Sequence, residues 1–183
     1  VYKRQALGRT GKMFVCEHFD VEPDMLVIGK GLGGGVFPMA ALITNENLDI
    51  VEDKALGHYT HEKSSVGCAA ALATIDCLIE DGLLNNAVTL GKSGLEQLEA
   101  LKLKHPIIHE VRGLVLFYGI DLKLNNQPAS DQADAILYHS LSNGLSYKVG
   151  GGSILTLCPP LTINNDELTQ AFSIIENGIN SLH

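Results

Sequence analysis

The sequence predicts an α/β fold, because short apolar runs typical of buried strands alternate with longer stretches of helical periodicity. Met25–Ile28 is such a run, preceded by Pro23-Asp24 and followed by Gly29. Residues 66–103 are rich in Ala and Leu, which predicts two consecutive helices. Residues 168–182 carry apolar side chains at the spacing of one helix face, so a final helix should pack on a sheet.

The remaining elements follow from shorter signals. Four more apolar runs predict strands, at residues 37–44, 107–111, 114–122 and 154–157. We expect the middle two to be joined around Arg112-Gly113. Residues 131–141 predict a helix that ends at Asn143-Gly144, and Asn164 with Glu167 has the arrangement of a capping box before the last helix.

Composition excludes several classes of function. The formal net charge of −8 argues against a nucleic-acid or membrane-surface partner, because both attract basic proteins. No apolar run has the length of a membrane span, and no secretory leader is evident, so a soluble cytoplasmic protein is expected. The four scattered cysteines predict buried thiols in a reducing compartment and no metal site.

The chemistry-bearing residue is Lys30, which is flanked by glycines where a predicted strand ends. Taken alone, this pattern also fits a solvated turn lysine. Three segments change that balance: Gly-Arg-Thr-Gly-Lys at residues 8–12, Glu-Pro-Asp at 22–24, and Lys-Gly-Leu-Gly-Gly-Gly at 30–35. Their order and spacing resemble the cofactor-lysine region of the class III aminotransferases, a family that uses pyridoxal phosphate (PLP). Several motifs in register are far more specific than one glycine-rich loop.

The resemblance implies roles for two residues. Lys30 would be both the catalytic residue and a cofactor-binding residue, holding PLP as a Schiff base and moving a proton at the substrate carbon. Thr60 would bind PLP as well, through a hydrogen bond to the cofactor phosphate of the other subunit in a homodimer. An ordinary loop threonine is the alternative for Thr60. The partners implied are a small-molecule amine and a keto acceptor.

The resemblance also implies how the chain is organised. It predicts the C-terminal part of a PLP transferase of fold type I. Residues 1–92 would be the tail of the large PLP-binding domain, and residues 93–183 a small C-terminal α/β domain. At Val1 the family carries an Asp that pairs with the cofactor ring nitrogen, so residues 1–5 are interpreted as foreign sequence. We therefore expect an incomplete chain that is inactive alone.

One departure from the family concerns the substrate. Three residues before Pro159-Pro160, where family members that act on α-amino acids commonly carry a carboxylate-binding Arg, this sequence has Thr156. This predicts a preference for amines without an α-carboxylate, unless Arg112 or Lys148 supplies the cation. Residues 57–63, which include His58 and His61, resemble a branch of the family that contains amino-phosphonate and phosphoethanolamine lyases. Each histidine is also consistent with a structural role.

Three functions therefore remain open from the sequence. The first is a PLP-dependent aminotransferase acting through Lys30. The second is a PLP-dependent phospho- or ammonia-lyase of the same family, and the third is a non-catalytic fragment that binds partners through surface its missing half would cover.

Overall fold

The computed structural model describes residues 6–48, 50–51, 54, 57, 60, 62 and 64–182. The chain divides into two compact units, Val1–Leu84 and Asn85–His183. The predicted boundary between residues 92 and 93 concerns the domains of the whole protein, and it stays a prediction. No helix within the described residues is both long enough and apolar enough to cross a membrane.

The first unit is built on a two-stranded antiparallel sheet. Strand β1 (Met25–Ile28) pairs with β2 (Ala41–Thr44), with Met25 opposite Thr44. A short 3-10 helix, Lys30–Gly33, follows β1, and helix α1 spans Ser65–Glu80. The core of this unit consists of five buried residues: Cys16, Leu26, Ile28, Leu32 and Ala71.

The predicted strand at residues 37–44 is shorter than expected. Only Ala41–Thr44 is extended and paired, while the Phe37 amide donates to the Gly33 carbonyl at 3.1 Å in a turn. Pro38 follows that turn and has no amide hydrogen to donate to a strand partner. The predicted strand was too long because it was based on apolar composition alone, which also occurs in the turn before Ala41.

The second unit combines an antiparallel sheet with three helices. In chain order the elements are α2 (Leu83–Lys104), β3 (Ile108–Gly113), β4 (Tyr118–Leu124), β5 (Gln127–Pro128), α3 (Ser130–Ser142), β6 (Lys148–Gly150), β7 (Ile154–Leu157) and α4 (Asn165–Asn180). The strands lie in the order β3-β4-β7-β6, and β5 pairs with the last two residues of β4.

The sheet of the second unit is buried on one face only. Along β4 the side chains of Tyr118, Ile120 and Leu122 are buried, whereas Gly119 and Asp121 between them are only half-buried. This alternation is the mark of an antiparallel strand with one face on the core. The Phe172 ring of α4 meets the Tyr118 ring edge-on, with centroids 5.9 Å apart. The predicted packing of the last helix on a sheet is thereby confirmed, as is its capping box.

The turn of the β3–β4 hairpin lies later than predicted. Arg112 and Gly113 are paired residues of β3, and the turn is made by residues 114–117, where the Leu114 amide donates to the Phe117 carbonyl at 2.9 Å. Val115 provides the reversal with a positive φ of 58°. The prediction failed because a glycine was taken as a turn signal, although this glycine is an extended strand residue.

The prediction of buried cysteines is wrong for three of the four. None of the four forms a disulfide, but only Cys16 is buried, while Cys68, Cys77 and Cys158 are exposed. The two on α1 lie beside its buried positions Gly67 and Leu78 in sequence, and successive helix residues point about 100° apart. They therefore fall outside the buried stripe.

Candidate active site

Lys30 lies at the point where β1 ends. It is exposed and begins the 3-10 helix Lys30–Gly33, with a positive backbone φ of 52°. Among the residues that the structure describes, none forms a hydrogen bond or an ion pair with its amine. The buried Leu26 and Ile28 anchor the strand that leads to it. Lys30 thus presents an amine without a partner among the described residues, on a backbone anchored by strand β1.

Two of the sequence motifs meet beside this lysine. A Cβ built at Gly31 would lie 3.8 Å from Leu7 Cδ2, so the segment around residues 8–12 borders the 3-10 helix. That segment is itself a closed loop, since the Gly8 amide donates to the Met13 carbonyl at 3.1 Å. His18 Nε2 lies 2.9 Å from the Thr10 carbonyl oxygen, which ties the loop to the next turn. Motifs separated in sequence therefore form one local structure.

These residues fit PLP by the chemistry that they offer. An imine with an aldehyde cofactor requires an accessible primary amine, and Lys30 supplies one. Gly34 and Gly35 follow with positive φ angles of 66° and 76°, and a Cβ at Gly35 would meet nothing within 4 Å. The backbone is consequently open at Gly35, whereas a Cβ at Gly34 would lie 2.9 Å from Thr74 Oγ1. The Thr10 hydroxyl, in the adjoining loop, is buried without a hydrogen-bond partner among the described residues.

The structure does not test the roles predicted for the other site residues. Thr60 is exposed in a turn, and its predicted contact with a cofactor phosphate stays a prediction. Val1, His58 and His61 lie outside the described residues. Within the described part of the chain, no cluster of three or more His, Cys, Asp or Glu side chains could hold a metal ion.

The second unit has a cavity of its own. It has a volume of about 450 Å³ and lies at the junction of the central strands, where Arg112, Gly119 and Thr156 are among its lining residues. Arg112 Nη1 donates to Glu110 Oε2 at 2.9 Å, and both side chains are half exposed. The Thr156 hydroxyl has only a long contact, 3.5 Å to the Ile154 carbonyl oxygen. Arg112 and Thr156, which the sequence singled out separately, thus line one cavity, and Gly119 between them was missed.

Comparison with known proteins identifies the family. The family model described as aminotransferase class-III matches residues 5–179. An (R)-1-hydroxy-2-aminoethylphosphonate ammonia-lyase of Vibrio splendidus is 43% identical over 176 residues, which are 94% of this chain and 37% of that protein. Ornithine aminotransferase 1 of Staphylococcus saprophyticus is 35% identical over 169 residues, 92% of this chain and 41% of that protein.

The solved structures agree with the sequence relatives. The acetylornithine aminotransferase of Elizabethkingia anophelis superposes with a TM-score of 0.88 and 34% identity, covering 97% of this chain and 46% of that one. The ornithine aminotransferase of Plasmodium yoelii gives a TM-score of 0.84 at 29% identity, with 95% of this chain and 46% of that one covered. The α/β fold of a portion of a PLP transferase, as the sequence predicted, is confirmed. The chain spans less than half the length of these relatives.

Proposed function

Because the chain belongs to the class III aminotransferase family, whose members depend on PLP, we propose that Lys30 holds this cofactor covalently and that the whole protein is an aminotransferase. One observation carries the proposal. The lysine of the matched motif has an exposed amine without a partner among the described residues, on a backbone turn that lysine rarely adopts.

Lys30 has two tasks in the proposed reaction. Its amine would hold the cofactor, and the same amine, once released, would carry a proton from the substrate carbon that bears nitrogen. PLP, when bound, withdraws electrons from that carbon and so stabilises the negative charge that proton removal leaves. The end of strand β1 fixes the point from which the lysine side chain reaches both positions.

The proposed substrate is a primary amine without an α-carboxylate, and the acceptor is a keto compound. Thr156 supports this choice, because a threonine hydroxyl cannot form the paired, charge-assisted hydrogen bonds that an arginine offers a carboxylate. Leaving a buried carboxylate without its charged partner costs about 3–5 kcal/mol. An amine lacking this group avoids that cost.

The covalent role of Lys30 is tested by trapping. The complete protein is incubated with PLP, reduced with borohydride and digested, and the peptide that carries the cofactor is identified by mass spectrometry. We expect the label on the peptide containing Lys30 and its loss in Lys30→Ala. Lys12→Ala is the matched control and should keep the label, because the Lys12 amine is already bonded to the Glu17 carbonyl at 2.8 Å. A label on Lys12 or Lys63 would refute the assignment.

Elimination of ammonia is a second candidate reaction, favoured by the lyase of Vibrio splendidus at 43% identity. Both reactions need the same lysine, so they differ only in what leaves. Ammonia released from an amino-phosphonate in the absence of any keto acid would indicate elimination. Strict dependence on a keto acceptor, with no free ammonia, would indicate transamination.

The state of the whole protein is part of the same proposal. We propose a homodimer in the cytoplasm, a compartment that suits four cysteines outside disulfide bonds. The 183-residue chain alone would not complete a PLP site, since it spans 37% of the length of its lyase relative. PLP binding by this chain with full turnover would contradict that statement, whereas partner capture without PLP binding would favour a non-catalytic role.

A further inference from the structure

Four residues form a line across the sheet of the second unit. Arg112 on β3 pairs with Gly119 on β4, Gly119 pairs with Thr156 on β7, and Thr156 pairs with Lys148 on β6. Directly paired residues of antiparallel strands point to the same face. This face is the one opposite the buried Tyr118, Ile120 and Leu155. We call Arg112, Gly119, Thr156 and Lys148 the cross-strand row.

The cross-strand row has a cationic side chain at each end, and the missing side chain of Gly119 leaves a gap between Arg112 and Thr156. Because neighbouring strands lie about 4.8 Å apart, the backbones of Arg112 and Lys148 are separated by roughly 14 Å, which two long side chains can bridge from opposite sides. Gly119 has no side chain, and a Cβ built there would lie 3.6 Å from Arg112 Nε. The guanidinium therefore lies beside an open position between Arg112 and Thr156, within the 450 Å³ cavity.

The acidic groups of the same face are already engaged. Glu110 accepts from Arg112 Nη1, which leaves the other donors of the planar guanidinium available. Asp121 accepts from the Ser153 hydroxyl at 3.2 Å and lies 4.0 Å from the Lys123 ammonium. Among the described residues, none forms an ion pair with Lys148, and its side chain is exposed. The cationic side chains thus outnumber the carboxylates that could neutralise them next to the gap.

We propose that the cross-strand row binds a tetrahedral oxyanion, such as the phosphonate or phosphate group of a small molecule. A phosphate group carries about −1.5 to −2 charges near pH 7 and presents three acceptor oxygens. Arg112 supplies donors from one side of Gly119, and the Thr156 hydroxyl and the longer Lys148 side chain supply them from the other. Donors from three residues suit three oxygens better than the two of a planar carboxylate. The proposed site lies within the second unit and goes beyond the function proposed for Lys30.

The test needs neither PLP nor turnover. The 183-residue chain is titrated with inorganic phosphate, methylphosphonate and acetate, and binding is followed by calorimetry and by the amide NMR signals of Gly119 and Gly150. We expect phosphate and methylphosphonate to bind and to shift those signals, with acetate at least tenfold weaker. Arg112→Gln should weaken phosphate binding about tenfold or more, since it removes charge-assisted bonds. Lys148→Gln should weaken it several-fold.

Two further variants guard against misinterpretation. Gly119→Ala removes no charge, and its Cβ contacts of 3.5 Å and beyond are ordinary packing distances, so it should fold and yet weaken binding by occupying the gap. Lys123→Gln is the matched control, because Lys123 lies four residues from Gly119 along β4, opposite Pro128 and near Asp121.

The proposal is overturned if Arg112→Gln and Gly119→Ala bind phosphate as the unchanged chain does, or if Lys123→Gln weakens binding as much as Arg112→Gln. It is also overturned if acetate binds as tightly as phosphate. Failure here would leave the Lys30 assignment intact, because borohydride trapping reports only the amine site. Conversely, loss of the Lys30 label would leave this oxyanion measurement unchanged.

Discussion

The backbone of Lys30 is in a conformation that its side chain does not favour. A φ of 52° places it in the left-handed region, which costs a residue with a Cβ about 1–2 kcal/mol relative to the right-handed one. Glycine, asparagine and aspartate tolerate this region best, and the neighbouring Gly34 and Gly35 adopt it too. Strained residues concentrate at functional sites, so the retention of a lysine here favours a role for its amine.

Exchange of this lysine for asparagine should separate function from stability. We expect Lys30→Asn to abolish cofactor trapping while the free energy of unfolding in urea stays equal or rises by about 0.5–1 kcal/mol, because asparagine tolerates positive φ. Lys12→Asn is the control, since Lys12 is not among the residues with positive φ and gains no such relief. A fall of more than about 1 kcal/mol in Lys30→Asn would show that the lysine side chain supports the fold.

Lys30 could be proposed as a site residue from the sequence because its signal is local. The motif residues are contiguous or nearly so, and a strand end can be recognised from a short apolar run. Gly119 had no such signal. Its importance depends on its pairing with Arg112 and Thr156, and strand register cannot be read from any one segment.

Element lengths explain which parts of the fold were predictable. Helices α1, α2, α3 and α4 each extend over three turns or more, so their periodicity and end signals are clear. Strands β5 and β6 have two and three residues and went unpredicted. A run that short carries no pattern of its own, and these strands exist because β4 and β7 offer partners.

The contact of α2 with β4 provides a test at the scale of elements. Tyr118 is 1% exposed and donates its hydroxyl to the Leu90 carbonyl at 3.3 Å. Burial raises the pKa of Tyr118 to about 12, so the donor proton is retained near neutral pH. This ring lies directly against Gly94: a Cβ there would overlap the Tyr118 hydroxyl and lie 3.1 Å from Leu168 Cδ2. The close approach of helix and sheet therefore requires glycine.

Gly94→Ala should consequently destabilise the second unit. Alanine favours a helix over glycine by about 0.8–1 kcal/mol, but overpacking a core costs about 1–3 kcal/mol. We expect the clash to prevail and the thermal midpoint to fall, as measured by circular dichroism. Lys92→Ala, at an exposed position of the same helix, should leave the midpoint nearly unchanged. An equal or higher midpoint for Gly94→Ala would mean that Tyr118 moves aside at little cost.

At the scale of the whole molecule, the chain spans less than half the length of the relatives that it matches. It covers 46% of the acetylornithine aminotransferase structure that it matches. The two units each carry one set of candidate groups, the Lys30 amine in the first and the cross-strand row in the second. The proposed amine chemistry and the proposed oxyanion binding thus belong to separate stretches of sequence, which can be tested independently.

Thr60 provides the test that involves a second subunit. The residue is exposed in a turn, which leaves its hydroxyl accessible to a group from outside the chain. A hydrogen bond to a charged phosphate contributes about 1.5–3 kcal/mol, so Thr60→Val in the complete protein should weaken PLP retention about ten- to a hundredfold. Retention is measured by equilibrium dialysis, and light scattering on the same samples reports whether the protein is dimeric.

Thr44→Val is the matched control for that measurement, because Thr44 is an exposed threonine of β2 whose hydroxyl has only long contacts of 3.4 Å to backbone carbonyls. It should retain PLP fully. If Thr60→Val also retains PLP fully in a dimer, Thr60 is an ordinary loop residue. If PLP is lost only because the dimer dissociates, Thr60 supports the subunit contact and not the cofactor. We expect weakened PLP retention in an intact dimer, because losing a direct contact with the phosphate lowers PLP affinity without dissociating the subunits.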